Sequence, residues 1–379
     1  MVLAPKLLWE RFRGKKHPAF LQRLGFFLPK EDKVIWIHAV SVGEVKAAAP
    51  FLSLLKEKYP QSRFCFTTTT ATGFAEAKKN CADIHLYLPL DFSYAAKRFV
   101  QKLNPEICFL IEGDIWPNLL KAVKKNGGKT ILVSGKISER SYQRCLRFPK
   151  FSSKLFSNLD LLCVQNREYA QRFASFAHKK VQITGNLKFD IEPQKVDIAE
   201  REYITIACTH PSEEEMILDA LKNVRMPIFI APRHPERFSE VAALLTRKNI
   251  HFAFFRDQQK AQVILIDEMG QLAYCYARSK VALVGGSFVP GIGGHNLLEP
   301  LLYGCLPIFG PFTYKQKEIV SKIIETSSGI QTTVQNLEKS VQQIIVDYSS
   351  YLLRSSRLLQ QLRGATNATW NEVHKIIRK

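Results

Sequence analysis

The sequence predicts an α/β chain of two doubly wound, Rossmann-like domains, each a parallel sheet covered by helices on both faces. Three observations carry this. Short apolar runs rich in β-branched and aromatic residues alternate with amphipathic stretches along most of the chain. The runs are apolar throughout rather than every second residue, the pattern of strands buried on both faces of a parallel sheet. The pattern breaks and restarts once, in a chain of 379 residues, a length that suits two domains.

In the first half, VIWIHAV (34–40) reads as a buried strand and EVKAAAPFLSLLKEKY (44–59) as the helix after it. RFCFTTT (63–69), ICFLI (107–111), TILVS (130–134), LLCVQ (161–165) and KVQITG (180–185) are further strands. Helices are expected at Pro117–Lys125 and at REYAQRFASFA (167–177). The polar stretch FDIEPQKVDIAERE (189–202) contains Pro193 and reads as a linker. Beyond it come the strands YITIAC (203–208), PIFIAP (227–232), HFAFF (251–255), VILID (263–267), KVALVGG (280–286) and LPIFG (306–310). Helical EEEMILDALKNV, FSEVAALLTRKN, GQLAYCYARS and HNLLEPLLYG separate them. The expected bounds are 1–190 for a first domain with a basic stem, 191–202 for the linker, 203–340 for the second domain and 341–379 for a helical tail.

Composition narrows the class. At 46% hydrophobic and 23% charged, the chain has apolar mass for two cores, which excludes disorder. None of the eight cysteines forms a C-x-x-C pair, so they read as small buried hydrophobes in a reducing compartment. No run of 18 apolar residues and no signal peptide are seen, so the chain is expected to stay in the cytoplasm. The net charge of +20 is uneven: residues 1–190 hold 32 Lys/Arg and 15 Asp/Glu (+17), the remainder 22 and 19 (+3). The basic half should seek an anionic partner. Nucleic acid is not expected, because no RRM or helix-turn-helix signature accompanies the charge.

Ligands of open α/β sheets bind at the C-terminal ends of the strands, so the segments that follow strands were read for chemistry. In SVGEV (41–45), Glu44 sits where a strand gives way to a helix, behind Ser41 and Gly43. It suits either a functional carboxylate or a first-turn acid facing the helix dipole. TTTTATG (67–73) suits an anion site or a capping cluster. EGDIWPN (112–118) places Glu112 and Asp114 at a strand end, more polar than a turn requires. A D-x-D-like metal site is disfavoured there, because the first acid is Glu and no second carboxylate cluster lies near in sequence. NGGKT (126–130) is no P-loop: Val123 stands where Gly is needed, and a strand follows. In PRHPERF (232–238), Arg233, His234 and Arg237 suit a phosphate. GGSFVPGIGGHNLLEP (285–300) is a strand, a glycine-rich loop and a helix start, which suits close approach to a phosphate; Glu299 is placed to accept from ribose hydroxyls. Asn296 breaks the dinucleotide fingerprint.

HAVSVGE, TTTTATG, LPLD (88–91), EGDIWPN, SERS (138–141), TGNLKFD (184–190), APRHPERF, DEMGQL (267–272), GGSF and GGHNLLEP stand in a shared order. From about Arg23 to about Ile330, the chain closely resembles the Kdo (3-deoxy-D-manno-octulosonic acid) transferases of lipopolysaccharide synthesis, glycosyltransferase family 30. The resemblance implies a GT-B fold, two Rossmann-like domains facing a central cleft. It implies a CMP-Kdo donor, a lipid A precursor (lipid IVA) as acceptor, inverting transfer, and no metal or other cofactor. It makes Glu44 the general base. Arg233, His234, Ser287, Gly294, His295, Asn296 and Glu299 fall to the donor side, and Ser41, Gly43, Glu112 and Asp114 to the acceptor side. A GT-B transferase using a UDP-sugar fits Glu299 and the glycine loop equally well.

Some positions depart from the family pattern. Asp114 stands where the family usually has Glu, and Gly113 where it has a hydroxyl residue. Ser134 and Lys136 replace an Asn-x-Arg pattern, and the loop between Ser287 and Gly293 is about a residue longer. LAPKLLWERF stands in the region of the family's apolar anchor. With the charge asymmetry, this predicts peripheral attachment to the cytoplasmic face of the bacterial inner membrane. The first domain and a stem of Leu7, Leu8, Trp9, Arg11, Phe12, Arg13, Lys15 and Lys16 would lie on the anionic surface.

Overall fold

The computed structural model describes residues 19–177, 181–197 and 200–377. The stem expected to meet a membrane lies outside them. Contacts divide the chain into two compact units, one of the residues up to Ile191 together with those from Leu362, the other Glu192–Gln361.

The first unit holds β1 (Val34–His38), β2 (Arg63–Thr68), β3 (Ile84–Tyr87), β4 (Pro105–Ile111), β5 (Lys129–Gly135), β6 (Leu161–Val164) and β7 (Val181–Ile183). They form one seven-stranded sheet in the order β3-β2-β1-β4-β5-β6-β7, parallel at every pairing. All five residues of β1 are buried. Val34 and Trp36 join the core on one face of the sheet, Ile35 and Ile37 the core on the other. This is why the strand reads as a continuous apolar run: successive side chains point to opposite faces, and both faces are covered.

The second unit repeats the plan with β8 (Tyr203–Thr209), β9 (Ile228–Pro232), β10 (Phe252–Phe254), β11 (Val263–Leu265), β12 (Ser279–Val284), β13 (Leu306–Phe309) and β14 (Ile330–Gln331). Their order is β10-β11-β9-β8-β12-β13-β14, again all parallel. The strand order reverses between β1 and β4 in the first sheet and between β8 and β12 in the second, where β10 and β11 are also exchanged at the far edge. At such a point the loops leaving two neighbouring strands diverge and open a crevice at their C-terminal ends. The loops that diverge after β1 and β4 carry SVGE and EGD, and those after β8 and β12 carry His210 and the glycine-rich segment.

Two expectations need correction. The helix expected over HNLLEPLLYG shrinks to Leu298–Leu302, ended near Gly304, which takes a left-handed φ of +69°. The tail expected as one body over 341–379 is divided. Leu337–Val346 and Tyr348–Leu362 serve the second core, through residues such as Val341, Ile344 and Tyr351. Ala365–Ile377 packs on the first sheet through Ala365 and Val373. Helical periodicity announces a helix but not which core its apolar face will cover.

The last helix is held by more than its apolar face. Asp190 accepts from Gly364 N–H at 2.7 Å and from Thr366 N–H at 2.5 Å, and so caps it from 174 residues away in sequence. Thr369 Oγ1 donates to Thr184 Oγ1 at 3.0 Å. Asp190→Ala should leave both units folded but loosen this helix. By hydrogen exchange, amide protection over 365–377 should fall roughly tenfold, the size of a lost cap of ~1–2 kcal/mol. Unchanged protection would show that side-chain packing alone holds the tail.

Candidate functional site at the strand-order reversals

In the first unit the reversal gathers three carboxylates. Glu44 lies in the first turn of the helix Val42–Lys58. Its Oε2 accepts from Val40 N–H at 2.7 Å, and its Oε1 from the Ser41 hydroxyl at 3.4 Å. The carboxylate is therefore tethered at the β1 terminus and half-buried. Burial raises its pKa above the ordinary 4.5; the Val40 N–H opposes this, the Glu112 charge reinforces it, and His38 and Lys136 act to lower it. Gly43 is not required for the turn, since a Cβ there would meet nothing within 4 Å. TTTTATG acts as a cap: Thr70 Oγ1 accepts from Gly73 N–H at 3.0 Å and donates to Val40 O at 3.1 Å, bracing the same loop.

Glu112, the residue after β4, is buried with a left-handed φ of +66°. Lys188 Nζ lies 2.6 Å from one oxygen and Lys136 pairs with the other. Burial alone would raise its pKa; the two ammonium groups outweigh that and hold it below the ordinary value. Asp114 Oδ2 accepts from Trp116 Nε1 at 2.8 Å and lies 3.0 Å from His38 Nε2. His38 is fully buried, its Nδ1 2.9 Å from Thr67 Oγ1, which also accepts from Trp36 Nε1 at 2.8 Å. A chain of hydrogen bonds thus crosses the ends of β2, β1 and β4. With Nε2–H donating to Asp114, Nδ1 accepts from the Thr67 hydroxyl; a proton on Nδ1 would instead be donated to Thr67 O, 3.1 Å away.

The second unit places the donor-side residues on the loops after β8, β9 and β12. Arg233 and His234 are exposed, and Arg233 N–H is fixed to Thr209 O at 3.1 Å. His210 and His295 lie edge to edge with parallel ring planes, centroids 5.1 Å apart and Nε2 atoms 2.8 Å apart, while His234 meets His210 at a steep angle, centroids 5.7 Å apart. Burial, followed by His210, Arg233, Lys315 and His234, pulls the His295 pKa down to about 4. Gly294 takes φ +82° and donates its N–H to Gly286 O at 2.7 Å, closing the loop on itself. A Cβ at Gly286 would come within 2.8 Å of the His295 ring. Asn296 is exposed and its Oδ1 accepts from Leu298 N–H at 3.0 Å, an Asx-type start to the short helix. Glu299 is half-buried in that helix, its charge felt at Cys208, Tyr276 and Tyr303.

Two residues expected to meet a phosphate are engaged inside the fold. The Ser287 hydroxyl is buried, donating to Val284 O at 2.5 Å and accepting from Gly310 N–H at 2.8 Å. Arg237 is buried in a two-pronged ion pair with Glu214, at 2.5 and 3.1 Å, and also meets Glu240. The sequence reading missed His38, Lys188, His210 and Glu213. The signal was present for His38, a polar residue closing an apolar strand at a switch point. Glu213 was hidden among three consecutive glutamates. Among the described residues, no three His, Cys, Asp or Glu side chains group as metal ligands would.

The chain as a whole is similar to known proteins. A family model described as "3-Deoxy-D-manno-octulosonic-acid transferase (kdotransferase)" matches residues 18–191. A 3-deoxy-D-manno-octulosonic acid transferase of Chlamydia trachomatis serovar A is 31% identical, covering 97% of this chain and 93% of the relative. One from Haemophilus influenzae is 33% identical, covering 87% and 85%. The chain belongs to the Kdo transferase family of glycosyltransferases. Among solved structures, a UDP-GlcNAc 2-epimerase from Neisseria meningitidis superposes with a TM-score of 0.62 at 15% identity, covering 92% of this chain and all of that one. MurG of Acinetobacter baumannii gives 0.56 at 12% identity, with the same coverage. At such identities the likeness shows the fold, which is GT-B.

The Glu112 cluster generates a pH-dependent prediction. A carboxylate whose folded pKa is depressed contributes stability above its unfolded pKa, and that stability is lost as pH falls through the folded value. Lys188→Met removes one of the two ammonium partners. Denaturant titration should therefore find the variant less stable at pH 7, by about 1–3 kcal/mol for a lost charged contact. The difference should shrink as pH falls below 4.5 and through the lowered Glu112 value, where Glu112 takes up a proton. An equal difference at neutral and acid pH would mean that Lys188 acts through packing.

Proposed function

We propose that this protein transfers Kdo from CMP-Kdo to a lipid A precursor, lipid IVA, with inversion and without a metal, at the cytoplasmic face of the inner membrane. Family membership supports the Kdo chemistry. The observation that carries the donor assignment is the cationic group at the β8/β12 reversal, where Arg233 acts on both His210 and His295 and Lys315 on His295, beside a glycine-rich loop. A phosphate and a sugar carboxylate are the anions this group suits. Its positive charge supplies the neutralisation that a metal would otherwise provide.

In the mechanism, the acceptor hydroxyl attacks the anomeric carbon of Kdo from the face opposite CMP and passes its proton to Glu44. The bond from the anomeric carbon to the phosphate oxygen breaks, and its electron pair leaves with CMP. Arg233, His234 and the N–H groups around Asn296 stabilise the charge that develops on the phosphate. Glu44 suits the base because burial and the neighbouring Glu112 charge raise its proton affinity. Among the described residues no helix is long and apolar enough to cross a membrane. The membrane assignment draws instead on the basic first half and on a lipid acceptor.

The direct test is incubation with CMP-Kdo and tetra-acylated lipid A precursor, with products read by mass. A protein that ignores CMP-Kdo but uses a UDP-sugar would be the alternative GT-B transferase. Glu44→Gln should keep CMP affinity and lower turnover roughly 10²-fold or more. In the wild type, the rate should rise with pH through a value above 4.5 as Glu44 ionises, and the variant should lack that limb. Near-wild-type turnover would remove Glu44 from the mechanism. On the donor side, Arg233→Ala and Glu299→Ala should each weaken CMP binding by about 1–3 kcal/mol in calorimetry. Unchanged affinity in both would place the donor elsewhere.

A further inference from the structure

The helix Glu139–Arg147, which follows β5, buries none of its nine residues. Only Tyr142 and Cys145, on one edge, are even half-buried, and both touch the first unit's core. The Tyr142 ring lies 5.8 Å from Phe176 and carries the Arg172 guanidinium at 5.6 Å. The chain turns sharply at Phe148 into a second helix, Pro149–Phe156, which returns to the core through Ser152 and Phe156. Ser152 fixes the corner, donating its hydroxyl to Cys145 O at 2.9 Å and its N–H to Phe148 O at 3.0 Å.

This rigid corner presents apolar side chains to water. Leu146, Phe148 and Phe151 are 42%, 62% and 57% exposed. Arg140, Arg144, Arg147, Lys150 and Lys154 surround them and are all exposed. Among the described residues, none of these five forms an ion pair. The one acid of the segment, Glu139, is paired with Arg172 at 2.5 Å. Apolar tips that protrude, ringed by uncompensated cations, suit an anionic bilayer: the tips enter the headgroup boundary and the cations meet lipid phosphates. A protein partner would be met better by a groove, or by charges of both signs.

Position adds a second argument. β5 pairs in parallel with β4, so the corner leaves the same C-terminal edge of the sheet that carries Glu112 and, beyond β1, Glu44. We propose that the corner formed by Leu146, Phe148 and Phe151, with its ring of basic residues, docks the first unit on an anionic membrane and turns the carboxylate edge of its sheet toward the leaflet. The functional purpose of docking rests on the reading of a lipid acceptor; the docking itself does not.

The test is co-sedimentation of the full chain with phosphatidylcholine vesicles, with and without phosphatidylglycerol. Wild type should bind the anionic vesicles, and less so at high salt. The triple variant Leu146→Ser/Phe148→Ser/Phe151→Ser and the double variant Arg144→Glu/Lys150→Glu should each lower partitioning at least about tenfold, since each basic residue at the surface contributes roughly fivefold. All five positions are exposed, so unchanged thermal melts should accompany the loss. Transfer to a detergent-dispersed acceptor should also be unchanged. Wild-type binding in both variants would overturn the proposal. So would loss of binding only on charge reversal at Arg11, Arg13, Lys15 and Lys16, or binding to random DNA in place of vesicles. If the wild type transfers nothing from CMP-Kdo while the variants still lose the vesicles, the functional reading fails and the docking surface stands.

Discussion

Glu213 has no solvent exposure, and both of its oxygens are taken by backbone N–H groups: His210 and Gly286 on one, Phe288 on the other. The loops at the second strand-order reversal are held by this arrangement. The glycine-rich loop after β12 turns two of its amides, Gly286 and Phe288, toward the buried Glu213, where an unpaired N–H is expensive, and this one carboxyl group accepts from both together with an amide from the loop after β8. It therefore locks together the two loops that diverge at the strand-order reversal, one bearing His210 and the other His295 and Asn296. The next residue extends the framework. Glu214 accepts from the Thr209 hydroxyl at 2.6 Å and grips Arg237, which fixes the loop after β9 that carries Arg233 and His234. Two adjacent glutamates thus tie together the three loops that carry the residues proposed to meet the donor.

This division of labour explains which parts of the site were legible in the sequence. Most strands announced themselves because both faces of each sheet are buried, but the short edge strands β3, where His85 interrupts the apolar run, and the two-residue β14 did not; the candidate sites announced themselves because polar residues collected where apolar runs ended. Orientation was not legible. Arg233 and Arg237 lie four residues apart in one motif, yet the first is exposed and the second is buried against Glu214. Ser287 sits in a glycine loop that suggests phosphate, yet its hydroxyl ties β12 to the end of β13. Nothing local distinguishes these cases. The partners that decide them lie 23 residues away in each, and farther still for Lys188 and Glu112 or for His210 and His295. The tail failed for the same reason: a helix records its own amphipathicity, not the address of the core it will cover.

The paired histidines also change how the cationic site works. With Nε2 atoms 2.8 Å apart, one ring donates and the other accepts, so a single proton lies between them. Burial and the surrounding cations keep His295 neutral well below neutral pH, and burial lowers the His210 pKa as well. Near pH 7 the positive charge at this reversal therefore comes chiefly from Arg233 and Lys315. The ring that donates between the two Nε2 atoms has no N–H left, while the accepting ring keeps its Nδ1–H, so the pair offers an anion one uncharged donor without adding to the repulsion among the cations.

The same logic separates the acids of the first unit. Two carboxylates at one strand-order reversal are pushed in opposite directions, which is how a fold assigns distinct roles to identical groups. Glu112 is buried, yet Lys136 and Lys188 keep it anionic. Asp114 is met by an indole N–H and by the His38 ring. Glu44 faces another negative charge, and burial and that charge together raise its affinity for a proton. A general base gains strength as its pKa rises, provided it remains ionised at the working pH. Lys136 matters here because it pairs with Glu112 and also pulls the Glu44 pKa down, limiting how far Glu112 can drive its neighbour up. Burial is thus the main cause of Glu44's raised proton affinity, and the Glu112 charge, held in place by its two lysines, adds to it.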